Sequence, residues 1–122
     1  MKNNKISYHK KDNYMVLSIL NHKVYVKEVK MDKIHTPWFC AYVEFDLEKS
    51  KYLSDKFLNH PTYREREDKK EVFGVDTCHA YNEGQDKASK LADALNQIEG
   101  IIIKFEDATN DNFYKEEVKG DE

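Results

Sequence analysis

Glycine is scarce in this chain and scattered, with four residues in 122, at positions 74, 84, 100 and 120. No glycine-rich loop that cradles phosphate can be assembled from them. Cysteine is equally sparse. Cys40 and Cys78 stand 38 positions apart, and no Cys-x-x-Cys or His-x-x-x-His pair supplies a zinc-type spacing. With two cysteines and a polar opening, Met1-Lys2-Asn3-Asn4-Lys5, that leads into no signal-peptide core, a reducing, cytoplasmic setting is expected. No apolar run approaches the length needed to cross a bilayer. Arginine is nearly absent: of 20 basic residues only Arg64 and Arg66 are arginine, and the formal net charge is −3. Lys10-Lys11 and Lys69-Lys70 are isolated pairs beside acidic residues, so nucleic-acid binding is disfavoured.

What the chain does have is aromatic surface. Eight Tyr and six Phe offset a modest aliphatic content, in a composition 39% hydrophobic and 35% charged. Such rings bury a large area each, and 122 residues are enough for one core without disulfide or metal staples. One domain over 1–122 is expected, with flexible ends at about 1–12 and 107–122 and a charged loop at about 64–71.

Two runs rich in strand formers, 14–20 and 24–29, flank the polar break Asn21-His22-Lys23 and predict a β-hairpin. The first is apolar on both faces, which suits a central or doubly covered strand; the second, with Lys27 and Glu28, suits a more exposed one. In 38–45, Phe39, Ala41, Val43 and Phe45 share a core face at period two. Trp38, Cys40, Tyr42 and Glu44 share the other face, whose mixed chemistry suits a ligand or a covered edge. Leu47, Tyr52, Leu53, Phe57 and Leu58 hint at a helical turn or two before Asn59-His60-Pro61. Residues 72–77 read as a strand. Residues 85–99 read as a helix with Ala88, Leu91, Ala92, Leu95 and Ile98 on one stripe, ended by Gly100. Ile101-Ile102-Ile103-Lys104-Phe105 reads as a final strand. The expected fold is α+β: a mostly antiparallel sheet of about five strands with one main C-terminal helix packed on it.

Chemistry-bearing groups gather in Gly74-Val75-Asp76-Thr77-Cys78-His79-Ala80 and in the His60-Pro61-Thr62-Tyr63 turn. Neighbours in a strand point to opposite faces, so Cys78 and His79 do not pair directly. A thiol nucleophile would need Cys40 beside His79, or Cys78 beside His60. His60, Asp76, Cys78 and His79 are ligand types for zinc without its spacing, so no metal and no cofactor are expected. A binding hollow demands less. It would use Tyr42, His60, Tyr63, Asp76 and His79, with Arg64 and Arg66 able to grip a phosphate by bidentate bonds.

The strings Cys40-Ala41-Tyr42-Val43, His60-Pro61-Thr62-Tyr63 and Gly74 to Ala80, followed by a Leu/Ala-rich helix, resemble a group of small uncharacterised phage and prophage proteins. That group carries a Cys-Gly-Tyr-Val-like strand, a His-Pro-x-Tyr turn and a Gly-Phe-Asp-x-Ala-His-Ala strand end. The likeness spans roughly residues 38–98. The group's Gly-Gly-x-Thr-aromatic segment is replaced here by the charged residues 64–71, and residues 1–36 have no counterpart. The resemblance implies a mobile-element origin and brings no reaction with it. The expectation is a phage-type accessory protein that counters host defence by binding, holding a nucleotide-like signal or a host protein without catalysis. The alternatives are a small Cys/His-dependent or metal-assisted hydrolase using Cys78, His79, His60 and Asp76, and an interaction domain with no small-molecule pocket. Self-association is left open.

Overall fold

The computed structural model describes residues 14–30, 36–77 and 84–109. Strands β1 (Tyr14–Ile19), β2 (His22–Val29), β3 (Trp38–Asp46), β4 (Tyr63–Glu67) and β5 (Lys70–Asp76) form one antiparallel sheet in the order β1-β2-β3-β5-β4. A single helical turn, α1 (Leu47–Ser50), follows β3, and the long helix α2 (Lys87–Thr109) packs on β3 and β5. This is the α+β architecture expected from the alternation of residues along the strands.

β1 and β2 are joined through Leu20 and Asn21, with φ of 51° and 68°. Positive φ at both central residues is the signature of a type I′ turn, whose twist matches that of the flanking strands. The break is therefore two residues, and His22 and Lys23 already belong to β2. The two strands also exchange the roles expected of them. β1 is an edge, with Met15 and Val16 exposed, whereas β2 lies inside the sheet with Val24 and Val26 buried. An apolar run on both faces marks burial only when a neighbour exists on each side, and β1 has one among the described residues.

The core lies between sheet and helix. Val24, Val26, Phe39, Ala41, Val43, Phe45, Phe73 and Val75 meet Ala94, Ile98, Ile101, Ile102 and Phe105, and Leu58 closes the side from the loop after α1. The rings of Phe45 and Phe105 stack at 3.8 Å and 2°. The expected strand at 101–105 is thus the last part of α2. Ile98, Ile101, Ile102 and Phe105 fall at three- and four-residue steps and continue one helical stripe, which outweighs the strand preference of three isoleucines. Gly100 sits within the helix and ends nothing, and residues 107–109, expected in a loose tail, are helical. The buried stripe also runs through Ala94 rather than Ala88 and Ala92, which are exposed, while Leu91 and Leu95 are half-buried at its border.

The charged loop expected at about 64–71 is instead the β4–β5 hairpin, closed by Glu67 opposite Lys70. Four of the five residues of β4 are charged, yet the strand is an edge whose ladder needs only a partner backbone, and charge suits an edge. Residues 1–13 and 110–122, which include most of the expected flexible ends, lie outside the described residues.

Candidate functional site: a tyrosine-lined sheet face

Strand alternation divides the expected site residues between two faces. On the helix side, Arg64 donates from Nε and Nη2 to Glu71, at 3.1 and 3.2 Å, and from Nη1 to Asp55 at 2.6 Å. Arg66 Nε donates to Glu71 at 3.0 Å, and the Ser50 hydroxyl donates to it at 2.6 Å. The Arg64 guanidinium also lies 4.8 Å from the Phe73 ring centre. Glu71 is 1% exposed. Burial pushes its carboxyl up, but the bonds from Arg64, Ser50 and Arg66 outweigh burial and hold it below its usual value. These arginines thus already clamp a buried carboxylate, and they do so on the face opposite Tyr42, Tyr63 and Asp76. A hollow of about 570 Å³ is lined here by Asp55, Arg64, Glu65, Arg66 and Glu71. Its three carboxylates offset the two arginines, so it does not present the net positive charge that draws a phosphate.

The other face carries the rings. One rung crosses all five strands in register: Val16 opposite Tyr25, Tyr25 opposite Tyr42, Tyr42 opposite Gly74, and Gly74 opposite Tyr63. Directly opposite residues in a sheet share a face, so this rung forms a continuous band. Gly74 is what allows it. A Cβ there would stand 2.7 and 2.9 Å from Tyr42 ring atoms and 3.2 Å from Tyr63 Cβ, so the Tyr42 ring occupies the space a side chain would take. Tyr42 and Tyr63 meet edge to face at 5.6 Å, Tyr14 approaches Tyr42 at 6.5 Å, and Val72 fills the floor among them. A second rung places Lys27 opposite Cys40 and Cys40 opposite Asp76, with the Lys27 ammonium 5.6 Å from the Tyr14 ring centre. Thr77 fastens the end of that rung: its N–H donates to Phe39 O, and its hydroxyl accepts from Phe39 N.

Burial raises the pKa of three of the phenols here. Tyr14 is pushed up to about 12, and Tyr42 and Tyr63 are raised as well. Burial also pushes up the Cys40 thiol, and Asp76 beside it adds to the effect. At neutral pH these groups are hydrogen-bonding donors and apolar surface, and Cys40 is not a poised thiolate. The face can stack, pack and hydrogen-bond. Among the described residues, its one thiol is held in the protonated form.

His60 is exposed on a turn with φ of 55°, after Asn59 with φ of 64°. The Asn59 amide lies against Gly100 of α2, so this turn is pinned to the helix side. Tyr42, Tyr63 and Asp76 are therefore brought onto one face, while Arg64 and Arg66 face away and the turn carrying His60 is tied to α2. Cys78 and His79 lie outside the described residues. Among the described residues, no group of three His, Cys, Asp or Glu could hold a metal ion, and no helix is long and apolar enough to cross a membrane.

Sequence reasoning reached Tyr42 and Tyr63 but not Tyr14, Tyr25 or Lys27, nor the part played by Gly74. Their signal is pairing register, which joins residues 25, 42, 63 and 74 across three different connections and is invisible to spacing along the chain. Compared with protein families, with curated proteins and with solved structures, the chain matches none.

Proposed function

We propose that this chain is a non-catalytic binding protein of the phage accessory kind, acting in the bacterial cytoplasm, and that it counters host defence by occupying a host protein with its tyrosine face. The observation that carries this reading is the five-strand rung opened by Gly74, which lays Tyr25, Tyr42 and Tyr63 in one band. Tyrosine gives large, stiff contact area at low cost in conformational entropy and keeps a polar tip for hydrogen bonds, which is why interfaces are enriched in it. A host protein suits the face better than a nucleotide-like signal. Small ligands favour concave sites, and two hollows among the described residues, one at the Arg64–Glu71 cluster and one at the far end of β3 around Glu44, Asp46, Glu48, Asp68 and Lys70, are lined by none of the band's tyrosines. Charge grades across the band from Lys23 and Lys27 on β2 to Asp76, Glu65 and Glu67 beyond it, while Glu44 is paired with Lys70 at 3.1 Å. A partner of opposite grading would dock in one orientation.

The test is phage plating on bacterial strains that each carry one cloned defence system, with and without this protein expressed. The expected result is restored plating on at least one strain, lost with Tyr25→Ser or Tyr63→Ser and kept with Glu99→Ala on the exposed side of α2. Restoration that survives both tyrosine changes in stably folded protein, or no restoration on any strain, counts against the reading. Titration calorimetry with adenine and guanine nucleotides decides the occupant: saturable heat abolished by Tyr63→Ser would replace the host protein with a nucleotide signal on the same face.

A further inference from the structure

Among the described strands, the two edges of the sheet, β1 and β4, are defended very differently. β4 reads Tyr-Arg-Glu-Arg-Glu, and a second copy laid antiparallel on it about Glu65 would set Glu65 against Glu65 and Arg64 against Arg66. Such like-charge contacts are how natural edges refuse a partner. β1 reads Tyr-Met-Val-Leu-Ser-Ile and carries no charge. Met15, Val16 and Leu20 on this strand and its turn are 49%, 51% and 54% exposed, half of the six large exposed hydrophobics among the described residues. Leu20 adds an independent sign. It holds a left-handed φ of 51° that disfavours a leucine and suits asparagine or glycine, and its side chain goes largely into solvent. Leu20 is not part of the core among the described residues.

The geometry points to β1 as a self-pairing edge, through which two copies of this chain join into one continuous ten-stranded antiparallel sheet. The register follows from the turn. In a two-residue hairpin the closing pair, here Ile19 and His22, exchanges backbone bonds, and alternation then turns Leu17 and Met15 towards β2. The N–H and C=O groups of Val16 and Ser18 therefore point outward. A two-fold axis normal to the sheet through Leu17 sets Val16 opposite Ser18 of the second copy, Met15 opposite Ile19 and Tyr14 opposite Leu20. Every opposed pair then shares a face, as antiparallel pairing requires, and no charges meet. The exposed residues Met15, Val16 and Leu20 all gain a neighbour. The tyrosine bands of both copies fall on the same side of the joint sheet.

The test is sedimentation velocity on the full chain from about 1 µM to about 1 mM, with amide hydrogen exchange at both ends of that range. The expected result is a monomer–dimer equilibrium, with Val16 and Ser18 amides exchanging at least about tenfold more slowly at the high concentration. Ser18→Pro removes one outward N–H at an edge position that tolerates proline, and should weaken the dimer at least about tenfold. Val16→Lys, which gives the edge the charge that β4 already has, should do the same and decides the matter if the proline variant fails to fold. A protein that stays monomeric to about 1 mM, or a dimer that keeps its affinity in a folded Val16→Lys variant, overturns the proposal.

Discussion

Gly74 does for this protein what no other residue type can do at that position. Its missing side chain is replaced by the Tyr42 ring, which then meets Tyr63 edge to face. Gly74→Ala should cost about 1–3 kcal/mol in urea unfolding, since the ring and the Tyr63 strand must both move. It should also abolish the binding that Tyr63→Ser abolishes, with the far-ultraviolet circular dichroism kept. Glu71 is the counterpart on the helix side, a buried carboxylate satisfied by two arginines and a serine. Glu71→Gln removes the charge that both arginines need and should cost on the order of 3 kcal/mol at neutral pH. Because the folded value of this carboxyl is lowered, its contribution is fully present above the unfolded value of about 4.5 and is lost as pH falls through the lower folded value. The native protein should therefore lose stability on acidification below about pH 4.5 more steeply than Glu71→Gln, as melting temperatures at a series of pH values would show.

At the scale of elements, α2 shows why part of the fold was readable and part was not. Strand β3 announces itself, because Phe39, Ala41, Val43 and Phe45 alternate without interruption with residues suited to the open face. The buried side of α2 is interrupted near its start by Lys90, whose ammonium reaches Thr36 O at 3.1 Å, and becomes continuous only from Ala94 onward. Reading Gly100 as a stop cut this stripe where it is strongest, and three consecutive isoleucines then read as a strand. β4 was missed for the opposite reason. Its inward face is held by the Arg64–Glu71 clamp rather than by apolar burial, so no hydrophobic period marks it. The corrected stripe makes a quantitative distinction. Ile98→Ala should cost about 2–5 kcal/mol through lost burial and the cavity left behind, while Leu95→Ala, at the half-buried border, should cost clearly less. Equal shifts in the urea midpoints would place the helix axis differently from the one described here.

For the molecule as a whole, stability should be graded outward from β3. That strand pairs on both sides, with β2 and β5, and carries most of the packing of α2 on the sheet. Opening it requires breaking two ladders and the core at once, whereas β1 and β4 each let go of a single ladder among the described residues. Local opening free energies follow such contact density, from near zero at frayed edges to the global value in the core. Native-state hydrogen exchange in dilute protein should therefore find the slowest amides in β3, β5 and the Ile98–Ile102 part of α2. Faster exchange is expected in both edge strands. The Arg64–Glu71–Ser50 clamp ties β4 to α1 and the loop beyond it, whereas in the dilute monomer β1 relies on its hairpin with β2 and on Leu17 and Ile19 at the border of the core. Of the two edges, β1 should thus be the less protected when the chain is alone. Protection in β1 equal to that in β3 at micromolar concentration would mean that this strand is already covered within the single chain.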